Sequence, residues 1–212
     1  LGREDTGTDP DSPDTDEDGL SDGDEVLGTS GGLELPALGA NPLRRDVFIE
    51  SDWFEDEDAC GGGHSYRLTP GAVRIATETF AAAPTPNPDG TRGISLHVEF
   101  GQDRPFQGGN LIETDDTEIT GYLNGEFLQH KSVHFDQNRN GYFHYNIGAH
   151  SYDGTNSSGF GEVNGDDFIV TSQCWSRRDV WVAGTFVHEL GHNLGLHHGG
   201  DSSCNHKPNY PS

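Results

Sequence analysis

"HELGHNLGLHH" (188–198) is the stretch that decides how this chain folds and what chemistry it can perform. An α-helix repeats about every 3.6 residues, so His188 and His192 lie one turn apart on the same face. That separation lets two imidazole nitrogens reach one zinc ion at about 2.0–2.1 Å each. Gly195 can take a positive φ and end the helix, which allows the chain to turn back and bring His198 to the same ion.

Glu189 and His197 are two further residues of this stretch that bear on a zinc site. Glu189 adjoins the first predicted ligand, so it lies at the rim of the site, where it can reach a water molecule at the metal. His197 competes with His198 for the third ligand position, and the pattern His-Glu-x-x-His-x-x-Gly-x-x-His favours His198. The alternative is a polar helix with incidental histidines. We predict a zinc site at His188, His192 and His198.

This extended motif resembles that of the metzincin metalloendopeptidases. The resemblance implies that the three histidines hold a catalytic zinc with an open fourth position and that Glu189 is the general base. It also implies a polypeptide substrate that binds as an added strand along the edge of a sheet. The substrate-binding residues stay unknown, because the edge is either "HYNIGAHSY" (144–152) or the loop that leads to Asp167.

Three further stretches are similar to secreted bacterial and archaeal metzincins of the pappalysin-like type. They are "NPDGTRGISLHVEFG" (87–101), "GDDFIV" (165–170) and "NHKPNYPS" (205–212). This resemblance implies a Met-turn just after Ser212, whereas the 212 residues contain no methionine. We therefore expect the C-terminal part of the catalytic domain to be missing here. A second polypeptide that continues the chain after Ser212 is an expected partner.

Strands and helices interleave along the rest of the chain. Alternating apolar residues predict strands at 46–53, 94–101, 142–152 and 167–172. Helical spacing and capping residues predict helices at 69–84, about 122–131, and 179–195. This order favours an α/β (α+β) fold in which a mixed twisted sheet is flanked by helices and one helix carries the zinc motif. We assign this catalytic domain to residues 46–212.

The Asp-rich beginning of the chain, residues 1–32, has the spacing of a calcium-binding loop in "DTDEDGLSDGDE" (14–25). Gly19 occupies the sixth position, where such loops turn sharply. The predicted calcium ligands are Asp14, Asp16, Asp18, the carbonyl of Leu20, Asp22 and Glu25. The segment resembles thrombospondin type 3 calcium repeats; the alternative is a disordered acidic linker. Residues 33–45 read as a linker to the catalytic domain.

The composition of the chain indicates which kinds of molecule it can bind. The chain has 36 Asp and Glu against 12 Lys and Arg, a formal net charge of −24, so nucleic acid is a poor partner. No stretch approaches the ~18 apolar residues that cross a bilayer, so no membrane association is expected. Carboxylates on this scale suit Ca²⁺, and a secreted, extracellular location fits these features.

Three cysteines permit at most one internal disulfide. Cys174 and Cys204 flank the zinc helix, so we predict that they pair. Cys60 would then be free or bonded to another polypeptide; a further alternative is that its thiolate caps the zinc in a latent form.

These predictions converge on a secreted, calcium-stabilised zinc endopeptidase in which Glu189 activates the attacking water. One alternative is a calcium-binding adhesive or matrix module whose zinc site is inactive or incomplete. Another is a zinc hydrolase that acts on a non-peptide substrate. The presence of Glu189 favours an enzyme over the adhesive module.

Overall fold

A computed structural model describes residues 6–174 and 178–198 of the chain. Five strands form its central sheet: β1 (Asp46–Trp53), β4 (Ser95–Glu99), β6 (Phe143–Ala149), β8 (Gly159–Gly161) and β9 (Asp167–Thr171). Their order is β4–β1–β6–β9–β8; the first four run parallel, and β8 pairs antiparallel with β9. Two small pairs flank this sheet, β2 (Glu55–Asp56) with β3 (His64–Ser65), and β5 (Glu118–Ile119) with β7 (Ser151–Tyr152).

Five α-helices accompany the strands in the described residues: α1 (Asp22–Leu27), α2 (Leu35–Leu38), α3 (Pro70–Ala81), α4 (Glu126–His134) and α5 (Asp179–Asn193). The predicted α/β class, a mixed sheet flanked by helices, is confirmed, and each predicted strand and helix is present with ends that differ by a few residues. Helix α3 begins where the sequence indicates, because the Thr69 hydroxyl accepts a hydrogen bond from the Ala72 amide at 3.1 Å.

The sheet buries both of its faces, since successive strand residues point to opposite sides. Phe48 and Ile169 belong to one hydrophobic cluster, which also contains α4 through Phe127. Their neighbours Ile49 and Phe168 belong to the other cluster, formed with α3 and α5. The zinc-motif helix is therefore held against the sheet along its length.

The segment that precedes β1, described from residue 6 to residue 45 and called the acidic head below, packs on the first of these clusters. Leu20, Leu33, Leu35 and Leu38 are buried in the same cluster as Phe48 of β1. The head therefore shares the core of the sheet, and the domain boundaries after residues 32 and 45 stay a prediction. Within the described residues, no helix combines the length and the apolar composition needed to cross a bilayer.

Candidate functional site

Helix α5 presents its C-terminal turns to a large cleft while its opposite face is fixed in the core. Phe186 packs edge-on against Phe168 of β9, with ring centroids 5.3 Å apart, and Leu190 is fully buried. At the other end of the helix, the Thr69 hydroxyl donates a hydrogen bond to Asp179 at 2.6 Å, which ties the starts of α3 and α5 together. The helix is thus a rigid support for the side chains it points into the cleft.

Three imidazole rings converge at the end of this helix. The Nε2 atom of His198 lies 3.1 Å from Nε2 of His188 and 3.2 Å from Nε2 of His192. One proton between two nitrogens could account for only one of these two contacts. Tetrahedral zinc with nitrogen ligands at about 2.0–2.1 Å would hold such nitrogens about 3.3 Å apart. The geometry and the donor type therefore fit a single zinc ion.

The reversal of the chain after α5 depends on Gly195, which has φ +89°. A side chain there would also collide with Asn164, whose Oδ1 would be 2.6 Å from the added Cβ. The turn places the Leu196 carbonyl 2.6 Å from Nδ1 of His192, so Nδ1–H donates to it and Nε2 keeps its lone pair for a metal. His197 borders the same cleft but lies outside the three-histidine cluster.

Glu189 lies beside this cluster and is almost fully enclosed, with 6% of its surface exposed. Burial raises the pKa of its carboxyl group to about 7. The enclosure comes from two glycines of β8: a Cβ at Gly159 would lie 2.6 Å from Cγ of Glu189, and one at Gly161 would lie 2.6 Å from its backbone oxygen. The strand approaches the helix this closely only because both residues lack side chains.

Strand β8 forms the free edge of the sheet beside the cleft. Hydrogen bonds from Thr171 to Ser158 and from Glu162 to Asp167 join the flanks of β8 to β9. Because bonded pairs alternate in an antiparallel ladder, the backbone groups of Gly159 and Gly161 point away from β9. The edge is thus in the loop that leads to Asp167; "HYNIGAHSY" supplies β6, which is an interior strand.

The cleft has a volume of about 1260 Å³ and joins this edge to the three histidines. Its lining includes an aromatic group, in which the ring of Phe160 lies 5.0 Å from that of Tyr122 and 5.8 Å from that of Tyr152. It also includes the exposed Trp181 of α5. The cleft is thus lined mostly by apolar surface.

The acidic loop of the head is closed by its own aspartates. Asp14 accepts hydrogen bonds from the amides of Glu17 and Gly19, and Asp18 accepts from the amide of Leu20. Oxygens of Asp14, Asp16 and Asp18 lie within 4.8 Å of one another. The loop thus brings three of the predicted calcium ligands together.

Two other predicted ligands of the loop, Glu25 and Asp22, differ in whether their carboxylates join a cluster. Glu25 is 1% exposed, and its oxygens converge with those of Asp18 and Asp46. Asp22 is not among the converging carboxylates; its two oxygens face Thr15, from which they accept hydrogen bonds at 2.8 Å each. Asp22 therefore closes the loop from outside the cluster. For Leu20, the structure shows a buried side chain.

The predicted disulfide is wrong. Cys174 is bonded to Cys60, with 5.2 Å between their Cα atoms, and so it cannot pair with Cys204. The β2–β3 hairpin carries Cys60 to the end of β9, a placement that depends on the fold rather than on sequence spacing. A disulfide-bonded sulfur is also no thiolate cap for zinc. Cys204 and residues 205–212 lie outside the described residues.

Sequence reasoning missed three kinds of residue around these sites: the glycines of β8, Asn193 and Asp46. The Asn193 side chain donates to the carbonyls of Glu162 and Asp167, at 3.0 and 2.9 Å, and so joins α5 to the end of β8 and the start of β9. The repeated glycine in "GFG" (159–161) was an available signal of close backbone approach. No local pattern marks Asn193 or Asp46.

Comparison with known proteins gives one short likeness. No protein-family model matches the chain. Over 41 residues the chain is 44% identical to the zinc metalloproteinase-disintegrin-like atrase-A of Naja atra. The matched stretch covers 19% of this chain and only 7% of the length of that protein. The chain is therefore similar, over this stretch, to a zinc metalloproteinase.

Proposed function

We propose that this chain is the catalytic part of a secreted zinc endopeptidase of the metzincin type. The observation that carries the proposal is the convergence of three imidazole nitrogens, 3.1 and 3.2 Å apart, next to a buried glutamate in a large cleft. The short likeness to a zinc metalloproteinase supports the same class. His188, His192 and His198 would hold the zinc and leave its fourth position toward the cleft.

Zinc in this position would polarise the scissile carbonyl and acidify the attacking water. Glu189 takes the proton of that water and delivers it to the leaving amine. Its nearly complete enclosure holds the carboxylate in one place beside the cluster. Gly159 and Gly161 let the edge strand lie directly over it, so a bound peptide would pass within reach.

A polypeptide is the substrate that this cleft suits best. The outward-facing amide and carbonyl of Gly161 can pair with an extended peptide, which would add a strand to the sheet. The Gly159 carbonyl already accepts hydrogen bonds from the hydroxyls of Tyr152 and Ser157. The apolar lining of the cleft would accept hydrophobic side chains of that peptide.

The acidic head contributes a calcium site to the same proposal. Asp16 and Glu25 are each 1% exposed, and among the described residues Oδ2 of Asp16 and both oxygens of Glu25 have no hydrogen-bond partner. Burial and neighbouring carboxylates raise the pKa of Glu25 to about 9 and that of Asp16 to about 7. Such oxygens suit a hard cation of the size of Ca²⁺.

The test of the peptidase compares wild type with Glu189→Gln. We expect wild type to cleave casein in a chelator-sensitive manner and E189Q to keep its zinc but lose nearly all cleavage. Glu78→Gln makes the same change at an exposed residue of α3, which pairs with Arg74 on the same helix, and should leave cleavage intact. Zinc without cleavage in wild type would favour the adhesive module, and full activity in E189Q would remove Glu189 as the base.

A further inference from the structure

The end of the acidic loop and the start of the sheet meet at one cluster of carboxylates. Oxygens of Asp18, Glu25 and Asp46 lie within 4.8 Å of one another. Asp18 comes from the loop, Glu25 from α1, and Asp46 is the first residue of β1. The Asp46 amide also donates to Oδ2 of Asp18 at 2.8 Å, so the backbone of the sheet is already joined to the loop.

This cluster has no lysine or arginine partner among the described residues to offset its buried carboxylates. Glu25 and Asp46 are 1% and 3% exposed, and both oxygens of Glu25 have no hydrogen-bond partner among the described residues. No lysine or arginine of the described chain pairs with Asp18, Glu25 or Asp46, and Arg45, the chain neighbour of Asp46, pairs with Glu17 at 3.5 Å. Burying charged oxygens in this way is costly unless a cation neutralises them.

Asp46 is held in position for such a cation. Its Oδ1 lies 2.6 Å from Nε2 of His97 on β4, and its Oδ2 accepts the Asn41 amide at 2.8 Å. The ring of His97 is in turn stacked on Phe48, with centroids 4.4 Å apart. Each carboxylate oxygen has two lone pairs, so each keeps one for a metal. The carboxylate is therefore oriented from behind by partners in the sheet and its surroundings.

We propose that Asp46 is a ligand of the calcium ion bound by the acidic loop, so that one ion joins the head to the catalytic sheet. Calcium takes six to eight oxygen ligands at about 2.3–2.6 Å, and an oxygen of Asp46 would add to those that Asp14, Asp16, Asp18, the Leu20 carbonyl and Glu25 offer. Because Asp46 can join these ligands only when the head is docked, calcium binding stabilises the docked arrangement.

This inference rests on the proposed calcium loop, and the experiment separates the two. Calcium affinity and the calcium-dependent rise in Tm would be measured for wild type, Asp46→Asn, Glu25→Gln and Glu17→Gln. Glu17 belongs to the same loop but is exposed, so E17Q removes equal charge and should bind calcium as wild type does. We expect D46N to lose about tenfold or more in affinity, as E25Q does.

The outcomes lead to different conclusions. Loss of binding in E25Q with wild-type binding in D46N would overturn the role of Asp46 and keep the loop. Absence of binding in wild type, or full binding in E25Q, would overturn the loop itself. If D46N does not fold, a crystal of the wild-type protein soaked in terbium tests whether Asp46 is a ligand. An ion within about 2.3–2.6 Å of an Asp46 oxygen supports the proposal, and an ion bound only by the loop refutes it.

Discussion

Gly159→Ala is the sharpest perturbation of the candidate active site that the structure offers. The added Cβ would lie 2.6 Å from Cγ and 2.7 Å from Oε1 of Glu189, and 2.8 Å from the Ile169 carbonyl oxygen. Comfortable contacts between carbon atoms are about 3.5–4.0 Å, so the glutamate side chain or the edge strand must move by about 1 Å. The backbone of Gly159 is not in the left-handed region, so the effect arises from contact alone.

A displacement of this size at a catalytic group costs about 100-fold in rate, or ~2.7 kcal/mol of transition-state stabilisation. We expect kcat/KM for a quenched fluorescent peptide to fall by that factor while the zinc content stays unchanged, since the three atoms nearest the added Cβ belong to Glu189 and Ile169 and not to a histidine. The kcat/KM and the zinc content would both be measured at a temperature well below the Tm of the variant. Gly31→Ala, whose Cβ meets nothing closer than 3.7 Å, should match wild type. Unchanged kcat/KM in G159A would refute the assigned position of Glu189 in catalysis.

Three further substitutions test what holds the site together. Arg139→Gln should lower the free energy of unfolding by about 3–5 kcal/mol, because it leaves Glu50 and Glu99 buried without their guanidinium partner. The control is Arg74→Gln, which changes an exposed arginine. If urea unfolding shows that Arg139→Gln loses no more stability than Arg74→Gln, the prediction is wrong. Cys60→Ser should lower the free energy of unfolding by about 2–5 kcal/mol, and a reductant should lower the stability of wild type to that of the variant. If a reductant does not change the stability of wild type, the result counts against the disulfide. Asn193→Ala should lower the free energy of unfolding by about 1–3 kcal/mol, because it removes the two hydrogen bonds to the Glu162 and Asp167 carbonyls, and it should raise KM as the edge strand loosens. An unchanged KM would separate Asn193 from substrate binding.

The parts of this protein that follow from local sequence could be predicted. The i, i+4 spacing of His188 and His192 fixes their common face, and Gly195 provides the turn that returns His198. The sheet and helices follow equally from apolar periodicity and from the Thr69 cap. In each case the determining residues are neighbours along the chain, so no knowledge of the tertiary structure is needed.

The parts that depend on distant residues could not be predicted. The pairing of Cys60 with Cys174 requires the β2–β3 hairpin to reach the end of β9. Asp22 has the charge and spacing of a calcium ligand, but the Thr15 amide and hydroxyl hold its carboxylate elsewhere. Asp46 lies outside the loop motif, and its carboxylate joins those of the loop only because the head packs on the sheet. Spacing identifies candidate ligands, whereas the direction of a side chain is decided by its tertiary neighbours.

The Cys60–Cys174 bond determines what happens to a chain that is cut by a protease. The two cysteines are 114 positions apart, and the segment between them contains four of the five strands of the sheet, all except β1. A cut in any loop of that segment leaves both pieces covalently joined through the disulfide. Such a cut would therefore separate the two pieces on a gel only after reduction of the disulfide.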